Sequence, residues 1–481
     1  MNQSQTPLFD ALANFYNQDK VSYHVPGHKN GKIFLDKGQF LYNPLLSIDA
    51  TELKGLDDLH APEGPIREAE LLLAELYGVK QSYFLVNGST VGNLAMILAS
   101  CGEGDTVLVQ RNCHKSVLHG LMLANVTPVF LSPTFHKEWG VAGGLDFKIV
   151  SEALAMYPNS KAVILTYPNY YGLAHDLTDV IALAHQKEIP VLIDEAHGAH
   201  FSLESPFPKS SIEMGADVVV HSAHKTLPAM TMGSYLHVNS SLVNVNRIEF
   251  YLQMLQSSSP SYPILGSLDL ARAYLASYSQ DDQDSLIKKI SQFKTLLSTI
   301  PEIDVLESPE DILIDPLKIS IRSKCGLSGF DLQALLEEKG IYSELADPQN
   351  VLLVLPLLKK GETYPFDQTA TLIKSAVRTP CRMKENVTDV DWDETEKITT
   401  LSLSYAKMQK SKVQQVTFNE AIGKISGEMV IPYPPGIPLM MAGEKITAKK
   451  IAILENLLAL HSRFHGGTAL TERKLIVYKE H

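Results

Sequence analysis

The chain lacks the features that mark several large classes of protein. It has no long run of basic residues, and its net charge of −12 argues against nucleic acid as the main partner, because phosphate binding relies on clustered Lys and Arg. Its polar start, residues 1–6, does not resemble a signal peptide, and no apolar stretch reaches the length of a transmembrane helix. We therefore expect a cytoplasmic protein without a membrane partner.

Cysteine is scarce, and its spacing points to no redox or metal chemistry. The sequence contains four cysteines and no Cys-x-x-Cys pair. In so long a chain, scattered cysteines are typical of reduced cytosolic thiols that pack as small apolar side chains. They are Cys101, Cys113, Cys325 and Cys381.

The sequence does have length and a regular alternation of elements. With 481 residues, of which 45% are hydrophobic, the chain is too long for one ordinary domain. Short β-branched runs separated by helical patterns predict an α/β fold with a mainly parallel sheet buried on both faces. The predicted strands are Ser82–Val86, Thr106–Val109, Ala162–Leu165, Val191–Ile193 and Asp217–Val220.

The pattern changes near residue 316, which suggests a second unit. Lys318–Arg322 alternates like a half-exposed strand, and the helical pattern Asp331–Glu338 follows it. We predict an N-terminal arm (1–62), a large domain (63–315) and a smaller α+β C-terminal domain (316–481).

Reactive side chains follow the predicted strands, at the edge where open parallel sheets bind ligands. Strand 191–193 runs into Asp194, and strand 217–220 leads to Lys225. One strand-helix-strand crossover separates the two residues, so both emerge at the same edge. An Asp can pair with a protonated pyridine nitrogen, and a lysine that loses solvation becomes a Schiff-base nucleophile. Considered alone, the Asp could simply cap the next turn, and the Lys could simply lie on an exposed loop.

A third strand end supplies an anion site. Strand 82–86 leads to Ser89, Thr90 and a helix, so hydroxyls and helical N–H groups can hold a phosphate. Alone this is a simple N-cap, and it is neither a Walker loop nor a G-x-G-x-x-G fingerprint. Together with Asp194 and Lys225 it predicts pyridoxal 5′-phosphate (PLP) bound through Lys225. His114, after strand 106–109, is positioned to lie flat on the pyridine ring, although a lone His is more often structural.

A metal site is the rival interpretation of the same region. Asp194, His197 and His200 form a short cluster of the kind that binds metal, which would make the chain a metal hydrolase. The combination of Asp194 with Lys225 and the Ser89 segment favours PLP and no metal.

At these residues the sequence resembles the Orn/Lys/Arg decarboxylase family, PLP-dependent enzymes of fold type I, over nearly the whole chain. Ser222–Ala229 is similar to the family's PLP-lysine signature, and Tyr23–Lys29 to its N-terminal motif. Glu52–His60 and the loop Pro434–Pro438 with Glu444 also resemble family segments. Large members carry an N-terminal wing domain. This chain begins at the arm and is more similar to the short Gram-positive-type arginine decarboxylases, so wing-mediated decamers are not expected.

The resemblance implies a role for each candidate residue. Ser89, Thr90, Ser222 and His224 would hold the phosphate, His114 would stack on the ring, Asp194 would pair with the ring nitrogen, Ala196 and His197 would lie at the opposite face, and Lys225 would form the Schiff base. Lys225 and His224 are both candidates to reprotonate the substrate Cα. Ser257–Tyr262 resembles a segment that reaches a neighbouring subunit's cofactor, which implies a homodimer with shared active sites, or a higher oligomer.

The implied reaction is decarboxylation of a basic amino acid, first of all arginine to agmatine and CO2, as in polyamine biosynthesis. The distal cation of such a substrate needs a carboxylate, and Glu344 and Glu444 are the candidates, with a solvated surface acid as the alternative for each. Lysine or ornithine as substrate stays open. So do another fold type I reaction, such as transamination or elimination, and a regulatory protein that has kept the fold.

Overall fold

The computed structural model describes residues 1–308, 312–378, 396–433, 436–459 and 462–479. Cys381 and the Pro434–Pro435 step of the proline-rich loop lie outside the described residues. The helices are α1 (Pro7–Asn17), α2 (Asp36–Ile48), α3 (Pro65–Tyr77), α4 (Gly88–Ser100), α5 (Lys115–Ala124), α6 (Phe147–Met156), α7 (Thr178–His185), α8 (Ala223–Thr226), α9 (Val245–Leu255), α10 (Tyr262–Ala276), α11 (Gln280–Ser298), α12 (Gly329–Glu337), α13 (Phe366–Ala376), α14 (Tyr405–Lys410), α15 (Phe418–Ala421) and α16 (Ala448–Ala459).

The strands are mostly short. They are β1 (Gln81–Leu85), β2 (Thr106–Gln110), β3 (Thr127–Leu131), β4 (Phe135–His136), β5 (Val141–Ala142), β6 (Ala162–Thr166), β7 (Leu173–Ala174), β8 (Val191–Asp194), β9 (Val218–His221), β10 (Ser234–Val238), β11 (Ile303–Val305), β12 (Leu313–Ile314), β13 (Lys318–Ser323), β14 (Leu345–Ala346), β15 (Asn350–Val354), β16 (Ile398–Thr400), β17 (Val413–Thr417), β18 (Val430–Tyr433), β19 (Arg463–Gly466) and β20 (Lys474–Tyr478).

An eight-stranded sheet forms the centre of the large domain, in the order β1-β10-β9-β8-β6-β2-β3-β16. The run from β9 to β3 is parallel, as the sequence predicts. Strand β1 pairs antiparallel with β10, which pairs antiparallel with β9, so β1 points the same way as β9. All the strands that precede the candidate residues therefore end at one edge of the sheet.

The sheet is buried on both faces, which explains its uninterrupted apolar strands. Val191, Leu192 and Ile193 of β8 are fully buried, and alternate residues belong to different apolar clusters, one on each face. Helix α4 lies close on one face because Gly92 has no side chain: a Cβ there would come within 2.8 Å of Val220 Cγ1. This approach places the next residue, Asn93, near the strand ends.

Residues beyond the large sheet form smaller sheets. Strands β11, β13, β15 and β14 make a four-stranded antiparallel sheet, while β17 pairs with β20 and β18 with β19. Strand β16 instead joins the edge of the large sheet through β3. The division into domains at residues 62 and 315 stays a prediction.

The structure corrects two expectations. The strand at Lys318–Arg322 is expected to be half exposed, but the first four residues of β13 are buried, because β13 lies between β11 and β15 and Lys318 packs against Gly172 and His197. Cys101 and Cys113 are free and buried, as expected, whereas Cys325 is disulfide-bonded, so the prediction of a reduced thiol is wrong there. Across the described residues, no helix combines the length and apolar character needed to cross a bilayer.

A buried ion pair fastens the N-terminal segment to helix α10. Asp269 and Arg272 are fully buried and 2.9 Å apart. Asp269 Oδ2 accepts hydrogen bonds from the backbone N–H groups of Leu8 and Phe9, at 3.0 and 3.2 Å, and Arg272 Nη1 donates to the Gln3 carbonyl at 2.8 Å. Asp269 thus accepts hydrogen bonds from two backbone N–H groups at the start of α1, a helix whose N-cap residue provides no side-chain hydrogen bond.

We predict that Arg272→Met lowers the free energy of unfolding by about 3–5 kcal/mol, because it leaves Asp269 as an unpaired buried charge. Urea unfolding followed by circular dichroism measures the change. The exposed Lys288→Met on α11 is the matched control and should stay within about 0.5 kcal/mol of the natural chain. Equal midpoints for the two variants would show that the pair does not hold the segment.

Candidate active site

The ends of five strands, β1, β2, β6, β8 and β9, lead into one cavity at the carboxyl edge of the large sheet. The register aligns them, since Thr166 at the end of β6 lies opposite Asp194 at the end of β8. The cavity is lined by Ser89, His114, Thr166, Pro168, Tyr170, Asp194, Ala196, His197 and Lys225. Six of these nine residues are among those singled out from the sequence, so the predicted convergence of Asp194, Lys225 and the Ser89 segment is observed.

Asp194 is a buried carboxylate whose hydrogen-bond donors are neutral groups. Its side chain is 3% exposed. Asn93 Nδ2 donates to Oδ2 at 2.8 Å, and the Ala196 backbone N–H donates to Oδ1 at 3.2 Å. Within the described part of the chain, Asp194 forms no salt bridge with a basic side chain. The two hydrogen bonds therefore fix the orientation of the carboxylate, which can still pair with a cationic group in the cavity.

His114 is coupled to Asp194 through a short chain of hydrogen bonds. Asn93 Nδ2 also donates to Ser116 Oγ at 2.9 Å, and Ser116 Oγ lies 2.7 Å from His114 Nδ1. The Ser116 backbone N–H points at the same nitrogen at 3.3 Å, which makes Nδ1 an acceptor and leaves the proton on Nε2. Burial lowers the pKa of His114, with partial compensation from Asp194, so a neutral ring faces the cavity.

Lys225 reaches the cavity from the short helix α8. Its Nζ lies 3.0 Å from His197 Nε2 and 5.9 Å from the centre of the Tyr170 ring. Burial lowers the pKa of Lys225, while the charges of Asp194 and Glu344 oppose the shift. A lysine with a lowered pKa more readily provides the neutral amine that a Schiff-base nucleophile requires.

The geometry does not favour the metal alternative. Both ring nitrogens of His197 are already engaged by lysines, Nε2 by Lys225 at 3.0 Å and Nδ1 by Lys318 at 3.2 Å, so neither is open to a metal ion. His200 points elsewhere, with Nε2 3.0 Å from Asp315 Oδ1. No group of three His, Cys, Asp or Glu side chains arranged for a metal ion is found among the residues that the structure describes.

The predicted anion site lies at the first turn of α4. Ser222 Oγ donates to Ser89 Oγ at 2.7 Å, so the loop after β9 is joined to the start of α4. Thr90 is exposed in the same turn, and the His224 ring contacts the Gly233 carbonyl through Nδ1 at 2.9 Å. Thr90, Ser222 and His224 do not line the cavity, although all three lie beside residues that do.

The two candidate substrate carboxylates differ in their surroundings. Glu344 is exposed and precedes β14, and its charge partly opposes the lowering of the pKa of Lys225 and of Lys318, although it does not line the cavity. Glu444 is 2% exposed, and its Oε2 accepts from Arg111 Nη2 and Lys450 Nζ, both at 2.8 Å. The Glu444 carboxylate is thus already paired with two basic side chains of the protein itself.

Sequence reasoning missed three residues that complete the site, namely Asn93, Ser116 and Lys318. Asn93 interrupts an otherwise apolar helical pattern, and a buried amide in such a place signals a hydrogen-bonding task. Ser116 looked like an ordinary helix-start residue. Lys318 begins a strand and resembled a residue on its solvent face, so only the packing of β13 could reveal it.

Comparison with known proteins agrees with this geometry. The family model described as Orn/Lys/Arg decarboxylase, major domain, matches residues 6–310, and the model of the C-terminal domain of that family matches residues 384–466. An uncharacterized Bacillus subtilis protein, YaaO, is 46% identical, with 99% of each chain covered. An arginine decarboxylase of Bacillus subtilis is 33% identical, with 95% of this chain and 94% of that protein covered.

A solved structure shares the fold. The crystal structure of the Francisella novicida lysine decarboxylase LdcF superposes with a TM-score of 0.80 at 21% identity, covering 98% of this chain and 81% of that one. At this level of identity the likeness concerns the fold alone.

We predict that Glu444→Gln destabilises the protein in a pH-dependent way. Arg111 and Lys450 lower the pKa of Glu444 from 4.5 to about 2 against the effect of burial. The stabilisation is therefore complete above about pH 4.5 and is lost as the pH falls towards 2. Urea unfolding should show a loss of about 3–5 kcal/mol at pH 7 that shrinks towards pH 3. The exposed Glu337→Gln serves as control, and a difference that did not change with pH would contradict the prediction.

Proposed function

The chain belongs to the Orn/Lys/Arg decarboxylase family and is an amino-acid decarboxylase, and we propose that it converts arginine to agmatine and CO2 with PLP as cofactor. The observation that carries the proposal is that one cavity contains both Asp194, a buried carboxylate that forms no salt bridge within the described residues, and Lys225, a lysine of lowered pKa. Arginine is favoured among the basic amino acids because full-length relatives named arginine decarboxylase are 32–33% identical.

The residues of the cavity fit PLP. Asp194 offers a negative charge for a protonated pyridine nitrogen, and Thr166, which also lines the cavity, has a buried Oγ1 without a hydrogen-bond partner among the described residues. Ser89 and the first turn of α4 offer donors for a phosphate. When bound, PLP supplies an electron sink that stabilises the negative charge left on Cα as CO2 departs.

Each side chain then has a distinct task. Asp194, held by Asn93, keeps its charge directed at the ring nitrogen. Lys225 provides the amine that binds the cofactor aldehyde. The neutral His114 ring covers one face of the cavity, while Ala196 and His197 lie at the opposite face. Ser89 and its neighbours Thr90, Ser222 and His224 are proposed to hold the phosphate.

Proton delivery to Cα needs an acid beside the cavity. Lys225 lines the cavity, and His224 is the adjacent residue in the chain, so these two remain the candidates. Lys225 is favoured by position, because its Nζ is fixed within the cavity by His197, whereas the His224 ring contacts the Gly233 carbonyl.

Glu344 is proposed to bind the distal cation of the substrate. The proposal is supported by its exposed carboxylate, whose charge partly opposes the lowering of the pKa of both lysines of the site. A guanidinium pairs well with such a carboxylate through two parallel hydrogen bonds. Glu444 is less suited, because Arg111 and Lys450 already occupy it.

We also propose a homodimer with shared active sites, acting in the cytoplasm in polyamine biosynthesis. Helix α2 of the arm buries no residue within one chain, and Tyr23 and Phe40 are 94% and 91% exposed. Apolar surface of this kind is typical of an interface. Ser257, in the segment predicted to reach the neighbouring subunit, is exposed next to this arm, and its carbonyl lies 2.9 Å from His60 Nε2.

We predict that Asp194→Ala abolishes decarboxylation, because the ring nitrogen loses the charge that keeps it protonated. Asp194→Asn, which preserves the shape, should lower kcat by at least about a thousandfold, equivalent to about 4 kcal/mol. CO2 release from arginine measures the effect, and unfolding midpoints verify that both variants are folded. An unchanged rate in either folded variant would refute the assignment of Asp194.

The substrate is tested by assaying arginine, lysine and ornithine in parallel, with products identified by mass spectrometry. We expect the highest kcat/KM with arginine and no keto-acid product, which separates decarboxylation from transamination. Glu344→Gln should raise the KM for arginine by about tenfold, as expected for the loss of one charge-assisted hydrogen bond, with little change in kcat. Glu338→Gln on α12 is the exposed control. A preference for lysine or ornithine would replace arginine and leave the family assignment in place.

A further inference from the structure

Lys318 is a buried lysine with no evident structural purpose. It is 1% exposed, at the start of β13, and lysine is almost never so buried unless it is paired. Gly172 packs against its stem, where a Cβ would come within 2.6 Å of Lys318 Cγ. In the described part of the chain, its ammonium forms no salt bridge and has one hydrogen-bond partner, Nδ1 of His197 at 3.2 Å.

The other nitrogen of the same ring contacts the proposed cofactor lysine, with His197 Nε2 3.0 Å from Lys225 Nζ. A neutral imidazole has one N–H donor and one acceptor, and an ammonium group can only donate. If Lys318 is protonated, it donates to Nδ1, the ring proton lies on Nε2, and Lys225 must accept it as a neutral amine. If Lys225 is protonated, the same reasoning makes Lys318 neutral.

From this geometry we infer that Lys318, acting through the His197 ring, holds the Lys225 amine neutral and exchanges one proton with it. Lys318 is a positioning residue, since it touches His197 and not the reacting groups. The inference rests on the proposed role of Lys225 but adds a source for its proton.

The exchange balances without any further reactant. Lys318 gives one proton to Nδ1, and Nε2 gives one proton to Lys225. The ring ends neutral as the other tautomer, Lys318 becomes an amine and Lys225 becomes an ammonium. Both lysine–imidazole hydrogen bonds are present before and after the exchange. The cluster carries one positive charge in both states, because the proton only moves from one lysine to the other. Two charged lysines on one buried ring would be strongly unfavourable.

The surrounding groups are consistent with a single shared charge. Burial is the main cause that lowers the pKa of both lysines and of His197, which therefore stays neutral. The charge of Glu344 opposes the lowering for both lysines. Asp315 raises the pKa of Lys318 alone, and Asp194 raises that of Lys225 alone.

Further groups border the cluster. His114 faces Lys225, and the Tyr170 ring lies edge-on to the His197 ring, 5.1 Å between centres. Asp315 also contacts a second ring, since its Oδ1 lies 3.0 Å from His200 Nε2. A bound cation at Asp194 would remove the attraction that favours the Lys225 ammonium, and the proton would then stay on Lys318.

The test reads the protonation of Lys225 directly, in the full-length protein stripped of cofactor. Lys225 is labelled with acetic anhydride across a pH series and its acetylated peptide is quantified by mass spectrometry. We expect Lys318→Met to raise the apparent pKa of Lys225 by about one unit, so that labelling below that pKa slows about tenfold. Lys318→Arg, whose guanidinium donates to the ring but cannot give up its proton, should hold Lys225 neutral and shift its apparent pKa in the opposite direction, below the natural value.

Two controls separate this role from a structural one. Lys324→Met, with 53% of its side chain exposed just beyond β13, should leave the profile unchanged. In a His197→Leu background, Lys318→Met should no longer shift the profile, because the connecting ring is absent. An unshifted profile in folded Lys318→Met, or an equal shift in both backgrounds, would overturn the inference. Neither result bears on whether Lys225 binds PLP, so the two proposals fail separately.

Discussion

The buried carboxylate of Asp194 is the constraint on which the rest of the site depends. Only 3% of it is exposed, and its hydrogen bonds come from an amide and a backbone N–H, which orient the charge without neutralising it. A buried charge is costly unless a cation compensates it. We therefore propose that the cavity in front of Asp194 receives a cationic group, and a protonated pyridine nitrogen would meet that requirement.

The position of the Asp194 carboxylate follows from the burial of strand β8, and hydrogen bonds connect it to other residues of the cavity. The apolar strand β8 must lie inside the sheet, so the residue that ends it emerges at the carboxyl edge beside Thr166. The close approach of α4 allows Asn93 to bridge Asp194 and Ser116, and through Ser116 the neutral His114. On the other side, His197 links Lys225 to a strand of the smaller sheet. The proposed proton exchange would thus couple the cavity to a residue of the smaller sheet, Lys318.

The hydrophobic pattern of the sequence predicts those site residues that stand directly after a buried strand. Asp194, Lys225 and Ser89 were placed together because parallel strands end at one edge, and the structure brings them into one cavity. Lys318 could not be predicted, since its burial arises from packing between distant segments, and a lysine in an alternating strand normally faces solvent. The pairing of Glu444 with Arg111 has the same origin, because these residues lie 333 positions apart. The antiparallel strands β10, inside the sheet, and β16, at its edge, likewise carry no local signal of direction.

The central claim is that Lys225 is the lysine that binds PLP, and borohydride reduction tests it most directly. The purified protein is reduced with borohydride and digested, and the modified peptide is identified by mass spectrometry. The account predicts a phosphopyridoxyl group on Lys225, together with loss of the visible absorbance of the cofactor. Attachment to another lysine, such as the nearby Lys318, or bound metal without any such adduct, would contradict it.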